Sequence, residues 1–230
     1  MVFRRLIKAS AIVIGVGLMS GCAVTPVKLG SAAIVGDERI SIATLGTEAA
    51  NLSQAAKQYP SVVNLTPVQE TQATLTWLIR YQVNEEVARQ AGITVSAAQA
   101  EAALAAAYAE AVTSAEQQGL TNVTPTEILA ASGIPPNTAA ELGRYEAITS
   151  EFLKIANGGT TPTSTSAQAA AGDKLNQAEC QAAKTLNIAV NPQFGRLDYS
   201  QIQVVSAPSP VTRPPGPKIS ASPIATAPAC

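Results

Sequence analysis

From residue 66 onward the apolar positions recur every three or four residues. Val68, Leu75, Ile79, Val83 and Val87, with Leu78 beside them, fall on one face of a helix. Its start is written as Thr66, Pro67 and Gln69: an N-cap hydroxyl, a proline in the first turn, and an amide three residues on that can reach back to the cap. The pattern runs to Gly92, and the same grammar then repeats. Ser96 with Gln99 opens an alanine-rich helix stopped by Gly119, and "TPTE" (124–127) opens a short one ending at Gly133. "TAAE" (138–141) opens a fourth, reaching Asn157, and a further helix is predicted over 167–186 after the polar break "GGTTPTSTS". An earlier helix is predicted over 42–58, capped by Ser41 and ended before Pro60.

Only two stretches have β character, 32–40 and 188–205. "AAIVGDERIS" reads as strand, tight Gly-Asp turn and short strand, and "NIAVNPQFGRLDY" as a strand, an Asn-Pro turn and a continuation. Backbone N–H and C=O groups of lone strands need partners, and two stretches far apart in sequence satisfy them most simply by pairing with each other. The expected fold is mostly α: a helical bundle with a small β clasp formed by N- and C-terminal strands. The domain is expected to span 32–205. Residues 206–230 hold seven prolines and few large apolar groups, which predicts a disordered, polyproline-prone tail.

The chain opens "MVFRRLIKASAIVIGVGLMSGC". A positive Arg4, Arg5, Lys8 region, a short apolar run, and small residues before a cysteine resemble a bacterial lipoprotein signal, with Met19 where leucine is usual. The expectation is a signal over 1–21, lipidation of Cys22, a tether over 22–31, and an outward-facing protein held on the cell membrane by its acyl chains. An ordinary secretory signal with an incidental cysteine and a non-cleaved anchor are the alternatives. Cys180 and Cys230 are then left to pair in an oxidising compartment.

Composition narrows the chemistry. The chain has no histidine, which removes the commonest general base and metal ligand and any Ser-His or Cys-His pair. With 15 basic and 16 acidic residues, three of the basic ones in 1–21, the mature chain carries 12 against 16, a net −4. That balance excludes a strongly basic nucleic-acid binder. No cofactor, metal or small-molecule substrate is expected. Trp77 and Tyr81, one turn apart on the long helix, are candidates for an apolar surface that binds other polypeptides, with core packing as their plainer role. Glu85, Glu86, Glu101 and Glu110 read as a solvated helix face, Asp37 as turn chemistry, and Phe194 as a plug beneath the closing strand.

"AAIVGDERIS" resembles the opening signature of SurA-type and PrsA-type envelope foldases, "LIRYQVNEEVARQAGITVSAAQ" (78–99) their turn from a long helix into the next, and "VNPQFGRLD" (190–198) the closing strand of actinobacterial lipoproteins with a SurA-like N-terminal domain. The resemblance implies a helical chaperone-like domain whose groove binds unfolded or extended secreted polypeptides. In that family a parvulin prolyl isomerase domain is often inserted before the last helix. Here only "GGTTPTSTS" stands at that place, so binding without catalysis is the expectation, or else scaffolding of one dedicated envelope partner.

Overall fold

A computed structural model describes residues 29–60 and 63–207. Among these residues the predicted helices form as α1 (Ile42–Gln58), α2 (Pro67–Ala91), α3 (Ala97–Gln117), α4 (Pro125–Ala131), α5 (Ala139–Ala156) and α6 (Thr165–Thr185). Thr66, Ser96 and Thr124 each complete a reciprocal capping box with the residue three positions on, which satisfies orphan N–H groups at both ends of the exchange. Gly92 ends α2 in the left-handed conformation at φ 66°.

The start of α5 departs from that grammar. Thr138 makes no side-chain cap; its hydroxyl donates to the Pro135 carbonyl at 2.9 Å and lies 3.0 Å from the Tyr81 hydroxyl. A single 3-10 turn, Pro136–Thr138, leads into the helix instead. Thr138 is buried, and a buried phenol that lost its partner would carry a desolvation cost larger than a missing cap. The tertiary contact therefore takes the hydroxyl.

Helix α2 runs through the main core. Leu75, Ile79, Val83 and Val87 are at most 1% exposed and pack with Ala182 and Ala183 of α6. Each such side chain contributes roughly 1.5–3 kcal/mol by leaving water. Val68 continues the same stripe in the sequence but is 61% exposed, because it sits in the first turn, before the elements that cover the rest of the helix. Helix α3 buries no residue and rests on α5 at Gly143, where a Cβ would stand 2.6 Å from the Ala100 carbonyl oxygen.

Five short strands complete the described residues. β1 (Ser31–Val35) is the middle of a three-stranded antiparallel sheet. On one side it meets β2 (Glu38–Ser41) through the Gly36-Asp37 turn, and on the other β3 (Ala189–Val190), with Ala33 opposite Val190 and Ile34 opposite Ala189. Asn191 extends that contact, its N–H donating to the Ala32 carbonyl at 2.9 Å and its side-chain amide to the Ser31 carbonyl at 3.0 Å. The remainder of the predicted 188–205 run behaves differently. Pro192, which has no N–H to give a ladder, turns the chain away, and β4 (Arg196–Asp198) pairs with β5 (Gln203–Val205) in a separate two-stranded sheet. β5 then leans on α2, where the Val204 N–H donates to Thr76 Oγ1 at 2.9 Å.

Candidate functional site

Two surfaces of α2 differ in what they leave open. At its first two turns, Pro67, Val68, Thr71 and Gln72 form one wall of a groove of ≈530 Å³. The opposite wall is the loop at 192–195, with Pro192 and Phe194 as its apolar members, and Ser206 and Ala207 line it as well. The loop is held in shape by its own turn chemistry: Asn191 Oδ1 accepts from the Gln193 N–H at 3.2 Å, and the Phe194 N–H donates to the Asn191 carbonyl at 2.9 Å. Phe194 packs one side against the main core and presents the other to the groove.

Gly195 fixes the depth of this arrangement. Its φ is +133°, and a Cβ there would lie 2.3 Å from the Val205 carbonyl oxygen, so only glycine lets the loop approach β5 this closely. Across the groove Gln72 Nε2 donates to the Phe194 carbonyl and to Ser206 Oγ, each at 3.2 Å, tying the opposite loop and Ser206 to α2. None of the lining residues is titratable. An apolar trough with amide and hydroxyl groups along its edge can hold an extended chain by contact and a few hydrogen bonds; it offers no general acid or base.

One turn further along α2 the surface is closed. Trp77, Tyr81 and Tyr145 of α5 stack with centroids 5.8, 5.8 and 6.3 Å apart. Their polar tips are occupied: Trp77 Nε1 donates to the Ser132 carbonyl at 3.4 Å, the Tyr81 hydroxyl meets Thr138, and the Tyr145 hydroxyl donates to Glu179 at 3.3 Å. Burial pushes the Tyr81 hydroxyl far above the usual phenol range, and burial, aided by the Glu179 charge, does the same to Tyr145. Burial also raises the Glu179 carboxyl, against the pull of Arg80. Arg80 lies 5.2 Å over the Trp77 ring and donates to the carbonyls of Gln201 at 2.9 Å and Ile202 at 3.2 Å. It thereby holds the turn before β5, where Ile202 is kept at φ 46°, a conformation a β-branched residue seldom adopts.

The structure thus brings the sequence-predicted pair Trp77 and Tyr81 together with Tyr145, with Tyr81 only 7% exposed. Among the glutamates expected on a solvated face, Glu86 is instead buried; hydrogen bonds from Arg89 at 2.7 Å and Gln90 at 2.7 Å hold its carboxyl below the ordinary range. Glu85 pairs with Arg144 of α5, Glu85 Oε2 accepting from Nη2 at 2.8 Å, while Glu101 and Glu110 are exposed. Cys180 is buried on α6 and disulfide-bonded. Its candidate partner Cys230, the lipidation candidate Cys22 and the signal over 1–21 lie outside the described residues, as does the tail from 208.

Val68, Gln72 and Phe194 are the groove residues that sequence reasoning placed elsewhere or passed over. The signal for Val68 was its position at the second residue of a helix, ahead of the stretch where covering elements arrive. For Phe194 it was Pro192, which breaks the strand and lifts the loop out of the sheet. Among the described residues no group of three or more His, Cys, Asp or Glu is placed to hold a metal, and no helix is long and apolar enough to cross a membrane. Compared with protein-family models, with curated proteins and with solved structures, the chain finds no match in any of the three.

Proposed function

We propose that this protein is a lipid-anchored envelope protein whose helical domain holds extended segments of unfolded polypeptides and performs no reaction on them. The observation that carries the reading is the groove at the start of α2, an apolar trough bordered by Pro67, Val68, Pro192 and Phe194 and free of ionisable groups. Its volume lies within the range of ordinary ligand sites, and its walls are fixed in advance by Gln72 and Gly195, so little ordering cost falls on binding. The anchor reading rests on "MSGC" at 19–22 and places the groove outside the membrane. The SurA-like reading rests on the segments 32–41, 78–99 and 190–198; the pairing of Ile34 with Ala189 supports the idea that β1 and β3, from opposite ends of the domain's sequence, clasp it shut.

The full-length protein is expected to slow the aggregation of chemically unfolded clients at near-stoichiometric ratio, and Val68→Asp to lose most of that effect while melting at the same temperature. Equal suppression by both proteins would remove the groove from the function. No suppression by the wild-type protein across several clients would end the holdase reading.

A further inference from the structure

The groove has a second candidate occupant within the same chain. Ser206 and Ala207, the last described residues, line it, so the chain continues into the proline-rich segment 208–230 from the edge of the site. That segment begins Pro208, Ser209, Pro210, Val211, and continues through Pro214, Pro215 and Pro217. Building on the groove reading above, we propose that this segment lies in the groove of its own chain and competes with polypeptides that enter from solution.

Three observations favour the tail over a partner from outside. The first is the tether. A sequence attached at the edge of a site reaches it at an effective concentration on the order of millimolar, so even weak affinity keeps the site filled. The second is chemistry. Proline-rich segments prefer an extended left-handed conformation before they bind, and they dock on aromatic and proline-lined surfaces at low entropic cost; Phe194, Pro67 and Pro192 offer such a surface. The third is position. Gln72 Nε2, on the α2 wall, donates to Ser206 Oγ as well as to the Phe194 carbonyl, which holds the last described residues beside the groove.

In this arrangement the tail acts as a built-in competitor. A client must displace it, so the apparent affinity of the wild-type protein is the intrinsic affinity scaled by the fraction of open groove. A tail bound nine-tenths of the time weakens client binding about tenfold.

Three full-length proteins test this: the wild type, a variant carrying Pro208→Gly, Pro210→Gly and Val211→Ser, and Val68→Asp. The probe is a fluorescein-labelled peptide with the sequence of residues 206–217, followed by fluorescence anisotropy, with a labelled valine- and phenylalanine-rich peptide as a second probe. The tail-substituted protein is expected to bind both probes about tenfold more tightly than the wild type, and Val68→Asp to bind neither. Equal affinity of the wild type and the tail variant for the tail probe overturns the inference, since the wild-type groove is then already open. If the tail probe binds no protein while the second probe binds wild type and tail variant alike, the inference falls and the groove reading stands. If neither probe binds any protein, both fall.

Discussion

Helix α2 carries two neighbouring surfaces with opposite character. Around Trp77 and Tyr81 the rings stack on Tyr145, their polar tips are bonded to Ser132, Thr138 and Glu179, and Arg80 covers the Trp77 face. Around Pro67 and Val68 the side chains are aliphatic, 61% exposed in the case of Val68, and face a groove whose far wall is a loop rather than a helix. The lesson is that aromatic side chains mark where a chain can bury area, whether or not a partner is involved. Here they are consumed by the fold, and the surface left for a partner is made of smaller residues that the covering elements do not reach.

The largest effect expected from breaking this contrast is at the closed surface. Tyr81→Ala removes a buried ring from the cluster and is expected to cost about 3–5 kcal/mol in chemical denaturation. Tyr81→Phe is expected to cost only about 1 kcal/mol, because the Thr138 hydroxyl keeps its bond to the Pro135 carbonyl. A loss near zero for Tyr81→Ala would mean that this surface is open after all. Next is the wall of the groove: Gly195→Ala forces a side chain into a glycine conformation against the Val205 carbonyl and is expected to cost about 1–3 kcal/mol, with weakened peptide binding as the loop shifts. An unchanged melting temperature together with unchanged binding would show that the loop does not set the groove.

The smallest effect concerns charge on the helical side. Burial raises the Glu146 carboxyl above its ordinary value of 4.5, and Glu110 on α3 adds to the shift. A carboxyl whose folded pKa is raised holds its proton more tightly in the folded state. Its contribution favours the fold below about pH 4.5 and is lost as pH rises through the folded value. Glu48 and Glu179 share this direction and Glu86 opposes it, so the informative quantity is a difference between proteins. Glu146→Gln is expected to gain melting temperature relative to the wild type as pH rises above about 4.5. A difference that stays constant with pH would contradict the assignment.

The helices could be read from the sequence because their ends are local. A capping box at Thr66, Ser96 or Thr124 depends on residues three positions apart, and Gly92 ends α2 through its own backbone freedom. α5 starts where the sequence places it, but Thr138 does not cap it, because its hydroxyl answers to Tyr81, far away in the chain. The strands were legible as β-prone segments, and their pairing was legible in part: β1 meets β2 and β3 as expected, whereas the run past Asn191 is redirected by Pro192 into a separate sheet. The groove was the least legible feature. Its walls come from residues 67–72 and 192–207, and neither segment carries a motif; what makes them a site is the exposure of Val68 and the close approach allowed at Gly195.

The most direct measurement is a titration of the isotope-labelled full-length protein with an unlabelled extended apolar peptide, followed by NMR. The expected result is that resonances of Val68, Thr71 and Phe194 move together and saturate, while the indole N–H of Trp77, the only tryptophan in the chain, stays in place. Movement of the Trp77 indole with Val68 and Phe194 unchanged would contradict the groove as the binding surface and return that role to the aromatic cluster.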